Sequence, residues 1–255
     1  MFFQKGFSIW TAGSLIFEDT NIIALNKNAK ILSHSLPKSE RWISAEEQLR
    51  RAIQKRVDRL QRDEQSLHLN HRLDYETSGV LLFTRWSQNA HKLSKAIEAK
   101  KYVQKKYRAI VSGKIEKEQG TIISGIVTPK DGKKCFSDAE WKFSETHYKI
   151  IDQRGIVIWN TRILLSELEL EIKTGRKHQI RVHCSSSWFP IIWDRLYWNH
   201  QRNELVWREF DLKRHALHAE NYSIEANVLW KKYDFKASVP LDMWRIIDYI
   251  RHWEQ

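Results

Sequence analysis

The chain holds only two cysteines, Cys135 and Cys184, in 255 residues. Neither belongs to a metal-ligand spacing, which argues against a disulfide scaffold or a zinc site. No apolar stretch approaches the length of a membrane-spanning helix, and Met1 to Trp10 lacks the basic-then-apolar pattern of a secretory signal. Acidic residues are in deficit: 31 Asp and Glu stand against 43 Lys and Arg, giving a formal charge of +12 and a pI near 9.6. That excess points to a polyanionic partner, either nucleic acid or an anionic membrane. The chain is 42% hydrophobic and 29% charged, a balance that fits a soluble globular protein and not a disordered one. It is long enough for one large domain or two small ones. A reducing cytoplasm and a nucleic-acid partner form the default expectation.

Periodicity divides the chain into interspersed strands and helices. Leu15-Ile16-Phe17 and Asn21 to Leu25 read as short strands around a turn at Glu18-Asp19-Thr20, and Lys27 to Glu40 as loop. Ser44 with Glu47 is a capping box, and Leu49, Ile53, Val57 and Leu60 recur at helical spacing behind it, predicting a helix over 45–61 with a basic outer face. Val80 to Thr84 is an apolar strand, and Ser87 caps a following helix. Ala109-Ile110-Val111 is strand-like, 113–135 reads as hairpins and exposed loops, and strands are expected at 139–143 and 156–163. Leu168, Leu170 and Ile172 alternate with Glu167, Glu169 and Glu171, the period of a half-buried strand with one acidic face.

Two segments are too dense in chemistry to pass as packing. The first is His71-Arg72-Leu73-Asp74-Tyr75-Glu76-Thr77-Ser78-Gly79, set against the apolar run that follows. An Asp held between Arg and His stays ionised and can act as nucleophile or base. Taken alone, the segment reads equally as a turn with an ordinary Asp and a capping Ser or Thr. The second is Thr174-Gly175-Arg176-Lys177-His178-Gln179-Ile180-Arg181-Val182-His183, where Gly175 permits a sharp turn into a short helix. Its cations suit phosphate or carboxylate, with Arg the better group for bidentate pairing. No third ligand is spaced to join His178 and His183 on a metal.

These blocks, together with Asn26-Lys27, Lys105-Lys106-Tyr107, Pro190-Ile191-Ile192, Asp194, Tyr197 and Leu217-His218-Ala219, occur in the order seen in pseudouridine synthases of the RluA type. The resemblance spans about residues 15–240. It implies an enzyme that detaches a uracil base from its ribose, turns it and rejoins it through C5. It makes Asp74 the catalytic nucleophile and Tyr107 the ring that packs on the target base and assists C5 proton removal. Arg181 becomes the partner of the catalytic carboxylate, and Arg72 the residue that enters the helix stack when the uridine is flipped out. His71, Thr77, Arg176, His178 and Gln179 are expected among the RNA contacts. No metal or organic cofactor is expected, because no electrons move. The partner is RNA, either tRNA or rRNA, with no obligatory protein partner and no membrane.

The fold class that follows is mixed α/β (α+β), a pseudouridine-synthase-like catalytic domain with a large, mostly antiparallel central sheet flanked by helices. The expected layout is a lead-in over 1–14, the catalytic domain over 15–240 and a C-terminal helix over 241–255. Fourteen residues before the first strand cannot hold the small S4-type domain that many relatives carry. Recognition is therefore expected from the basic helix 45–61, the loop 130–134 and the segment 176–183. The chain also departs from the family's pattern. Asn28 and Lys30 replace Pro and Gly of the first motif, and Trp188, Trp193 and Trp198 stand where Gly is common. A Trp tolerates positive φ poorly, so those loops are expected to be rebuilt, or the scaffold to survive as a non-catalytic RNA binder or RNA chaperone. A hydrolase using Asp74 and Glu76 as a carboxylate pair is a third reading with nothing else behind it.

Overall fold

Val80 to Thr84 is apolar but for its last residue, and a strand so composed needs cover on both faces. In the computed structural model it is the middle of β5 (Ser78–Arg85), buried at every position. The structure describes residues 8–9, 11–35, 44–57, 66–130, 132–138, 141–158, 160–198 and 200–252. The chain divides into two units: Met1–Gln104 with Ala219–Ser238, and Lys105–His218 with Val239–Gln255.

Unit 1 builds its sheet in the order β1 (Ser8–Ile9), β2 (Gly13–Glu18), β3 (Ile22–Lys27), β5 and β11 (Leu217–Ile224), the last lying mostly in this unit; β12 (Tyr233–Lys236) pairs with β11 and β4 (Leu67–Leu69) with β5. The described registers are antiparallel, for example Ile23↔Phe83 and Tyr222↔Phe235. Leu93 and Ala96 of α2 (Ser87–Glu98) and Val228 and Leu229 of α5 (Ala226–Leu229) close a core over Ile22, Leu82 and Ile224. Helix α1 (Ala45–Val57) starts as its capping box predicts, the Glu47 N–H donating to Ser44 Oγ at 3.2 Å. The predicted residues 58–61 lie outside the described ones. At α2 the expected cap moves by one: Trp86, at φ 70, is the N-cap and Ser87 the first helical residue.

Unit 2 orders β6 (Val103–Ser112), β10 (Thr161–Ile172), β9 (Phe143–Ile158), β7 (Gln119–Val127) and β8 (Phe136–Ser137), β6 beginning two residues before the division. One long hairpin, β9 to β10, takes in the strand expected at 156–163, and of the strand expected at 139–143 residues 139–140 lie outside the described ones. The acidic face of β10 is as predicted, but it is engaged. Glu167, 1% exposed, takes Arg108 and Arg251, Glu169 takes Lys106, and Glu171 takes Lys173. The predicted short helix is α3 (Gln179–Ser186), entered through His178 at φ 55. Helix α4 (His200–Phe210) was not foreseen, whereas the C-terminal helix is present as α6 (Leu241–His252), burying Met243, Ile247 and Ile250. The class is α+β with mostly antiparallel strands, as expected.

Candidate active site

Asp74 sits in a tight turn at the mouth of β5, its carbonyl accepting the Thr77 N–H at 3.1 Å. The residue before it is clamped: Ser33 Oγ receives the Leu73 N–H (3.0 Å) and donates to the Leu73 carbonyl (2.9 Å). The turn is also gripped by Lys27 at the end of β3. Its ammonium is fully buried and donates to the carbonyls of Asn28 and Ile31, both at 2.8 Å, and of Tyr75 at 3.5 Å. Gly79 closes the segment at φ 114, where a Cβ would meet the Ala219 carbonyl oxygen at 2.2 Å, so no other residue fits without moving that backbone. Asp74 is half-buried and Arg72 is exposed.

Two expected RNA contacts in this segment are built into the scaffold. Thr77 is buried at 2% exposure and serves the turn. His71 accepts the Leu82 N–H at Nε2 (3.1 Å) and lies 4.9 Å from the Tyr222 ring, which fixes its neutral tautomer with the proton on Nδ1.

In unit 2, Tyr107 is buried on β6 opposite Leu170, and Leu170 is opposite Tyr148. Directly opposed residues share a sheet face, so Lys105 lies on the Tyr107 face by alternation, and Ser144 and Thr146 lie on the Tyr148 face. That face is where α3 packs, since His183 meets Ser144 Oγ through Nε2 (2.8 Å) and Thr146 Oγ1 through Nδ1 (2.9 Å). Tyr107, Lys105 and α3 therefore share one face of this sheet. Burial lowers the Lys105 ammonium to about 8 and the His183 imidazole to about 4.

Arg181, buried, forks onto Asp194: Nε donates to Oδ2 at 2.7 Å and Nη2 to Oδ1 at 2.9 Å. The bidentate pair fixes the guanidinium plane, which lies 5.0 Å from the Tyr197 ring. Tyr197 Oη accepts the Cys135 N–H (2.8 Å) and meets His178 Nδ1 at 2.9 Å, and burial pushes its phenol upward, keeping it protonated. Gln179, expected among the RNA contacts, is tied into the protein itself. Its Oε1 accepts from Thr174 Oγ1 and the Arg176 N–H, while Nε2 donates to the Glu145 carbonyl and Thr146 Oγ1. With both lone pairs and both protons engaged at 4% exposure, it clamps the corner into α3. Arg176 stays exposed, with Nε on the Phe143 carbonyl.

Two of the three tryptophans stand at left-handed backbone positions. Trp188 and Trp193 adopt φ 67 and 59, the left-handed region a Gly would occupy, and Lys30 does the same at φ 61. Trp198 is not among the described positive-φ residues; its N–H donates to the Asp194 carbonyl at 2.8 Å. The sequence reading did not foresee Lys27 as a buried clamp, Ser33, or Asp194 as the carboxylate under Arg181. A buried Arg demands an acid, and that was the available signal for Asp194.

Comparison with known proteins gives this geometry a context. The profile of the family described as RNA pseudouridylate synthase matches residues 21–186, which include Asp74, Tyr107 and Arg181. An uncharacterized RNA pseudouridine synthase of Helicobacter pylori strain J99 is 34% identical over 233 residues, covering 89% of this chain and 75% of the relative. Ribosomal large subunit pseudouridine synthase D of Buchnera aphidicola subsp. Schizaphis graminum is 29% identical, covering 92% and 72%. tRNA pseudouridine synthase C of Vibrio parahaemolyticus is also 29% identical, covering 94% and 96%. The solved structure of human RNA Pseudouridylate Synthase Domain Containing 4 shares the fold, with a TM-score of 0.69 over 93% of this chain and 92% of that one at 22% identity. Two dense motifs, a matching profile across both, and relatives similar over nearly the whole chain agree: the chain belongs to the RNA pseudouridylate synthase family.

Proposed function

We propose that the protein isomerises selected uridines of structured RNA to pseudouridine, with Asp74 as the nucleophile. The N1–C1′ bond breaks, the base turns, and a C5–C1′ bond forms. The proton lost from C5 is balanced by one gained at N1, so the product is an isomer and no redox partner enters. A uridine inside a structured RNA must first leave its stack, at a few kcal/mol. Arg72, exposed beside Asp74, fills the vacated place in the helix, and the Tyr107 ring packs on the extruded base. Arg181, aligned by Asp194, is by the family resemblance the cation that serves the catalytic carboxylate. Lys105, on the face of β6 that carries Tyr107, adds a buried cation. The basic excess gives sequence-independent phosphate affinity.

The observation that carries the reading is the clamp on Asp74. Ser33, Lys27 and the Thr77 turn fix the backbone on both sides of that carboxylate, as a nucleophile needing a set approach requires. The RNA is tRNA or rRNA, the two classes named for its relatives, and the setting is the cytoplasm. Among the described residues no helix is long and apolar enough to cross a membrane.

The test is to incubate the protein with bulk tRNA and rRNA transcripts and map pseudouridine chemically, alongside Asp74→Asn. New pseudouridine with the native protein, none with the variant, and RNA binding largely kept in both are expected. No product from either protein on any of these RNAs would leave only a binding protein on a synthase scaffold.

A further inference from the structure

Among its described residues unit 1 holds three large aromatic side chains in solvent: Trp86 at 44% exposure, Tyr102 at 51% and Trp230 at 67%. Each stands at a left-handed backbone position, φ 70, 67 and 60. Trp86 precedes α2, Tyr102 follows it, and Trp230 closes α5. Contacts join them into one surface along α2. Lys92 lies over the Trp230 ring, 3.3 Å from its centroid, and the Tyr102 carbonyl accepts the N–H of Glu225, the residue that opens α5. Trp86 Nε1 donates to the Thr20 carbonyl at 3.0 Å, and the neighbouring Asp19 meets Lys231.

Charge decides what fits there. Lys92, Lys95, Lys100 and Lys101 stand on α2 or just past its end and Lys231 and Lys232 just past α5, all exposed but the half-buried Lys92, against Glu98 and Glu225 in the same segments and Asp19 beside Lys231. Asp19 is engaged by Lys231 and the Tyr233 hydroxyl, and Glu225 by Lys232. Exposed rings set among ammonium groups match a single strand of nucleic acid, where bases stack on rings and phosphates meet cations. An ordinary apolar protein surface would leave those lysines desolvated without counter-charge.

We propose that the α2–α5 surface is a second RNA-binding site, taking unpaired nucleotides of the substrate RNA other than the target uridine. The proposal rests on the reading that RNA is the substrate. Asn70, immediately before His71, donates from Nδ2 to the Ala90 carbonyl of α2 (3.3 Å) and accepts the Thr84 N–H at Oδ1 (3.1 Å). RNA held on α2 is thus held on the helix that anchors the entrance to the Asp74 turn.

The test uses the full chain with Trp230→Asn, since Asn tolerates the left-handed backbone, and with Lys92→Gln. Binding is measured by fluorescence anisotropy with an oligouridylate, a duplex of equal length and a tRNA transcript across a salt series, folding being checked by thermal melting. Trp230→Asn is expected to weaken oligouridylate binding about tenfold and duplex binding less than twofold. Lys92→Gln is expected to flatten the single-strand salt dependence by about 0.7 in log–log slope. Product lost by Trp230→Asn at low protein concentration should return as concentration rises. If both folded variants bind oligouridylate within twofold of the native protein, the site is not there. The same holds if the losses appear only on phosphatidylserine vesicles. Should Asp74→Asn and the native protein both prove inactive while Trp230→Asn still loses RNA, the surface stands and the catalytic reading falls.

Discussion

The two dense motifs are held in opposite ways. The Asp74 turn is fixed through its backbone by groups from elsewhere in unit 1: the Ser33 hydroxyl on Leu73, the Lys27 ammonium on Tyr75, the Ala219 backbone against Gly79. The segment 174–183 is fixed through its own side chains, with Gln179 on Thr174 and Thr146, Arg181 on Asp194, and His183 on Ser144 and Thr146. A backbone clamp leaves the choice of side chain at Asp74 to chemistry, whereas the second motif uses its polar side chains to build a buried network. Substitutions in the first should therefore reach activity before stability, and in the second stability before activity.

The largest expected effect is at the buried ion pair. Asp194→Asn removes the charged half of the bidentate pair with Arg181, and should destabilise the protein by about 3–5 kcal/mol, read as a lowered urea midpoint with little change in slope. An unfolding free energy within about 1 kcal/mol of native would mean that the second motif does not depend on its side-chain network, and the contrast would fail. Next comes Lys27→Met, which removes the donor from the Asn28, Ile31 and Tyr75 carbonyls and should cost about 2–4 kcal/mol. Because the same donor steadies the Asp74 turn, pseudouridine formation by the remaining folded protein should fall by about 100-fold. Retained activity at matched folded fraction would show that the clamp is structural only.

This contrast explains what the sequence could and could not reveal. Val80 to Thr84 was legible as a strand because an apolar run beside a turn has few other uses. The Phe143–Ile158 strand was not, since its apolar residues do not alternate regularly and Gly155 interrupts it, so strands were expected only at 139–143 and 156–163. Asp74 and Arg181 stood out through the company they keep. Gln179 was assigned to RNA because a polar side chain in a basic motif looks the same whether it faces a phosphate or locks a corner. Lys27 gave no hint of burial, lysine being almost always exposed, and only a structure shows three carbonyls converging on it. Trp188 and Trp193 were expected to force new loops, yet the surrounding backbone holds them at φ 67 and 59.

The smallest effect expected is a dependence on pH carried by His183. Both of its ring nitrogens face hydroxyls, Ser144 Oγ and Thr146 Oγ1, and burial lowers its pKa from 6.5 to about 4. Between those values the unfolded chain binds a proton that the folded chain refuses, so stability rises with pH across the window and is lost as pH falls from 6.5 toward 4. The loss from this group alone between pH 7 and pH 5 should be about 2 kcal/mol, measured as a falling urea midpoint. Carboxylates titrating nearby contribute to the same slope, so the comparison is with His183→Gln, which keeps a hydrogen-bonding side chain but has no proton to gain. The variant should begin less stable at pH 7 and lose less on acidification, the two curves converging near pH 4. Parallel curves would show that the imidazole accommodates its proton, and that the second motif is less closed to water than its side-chain network implies.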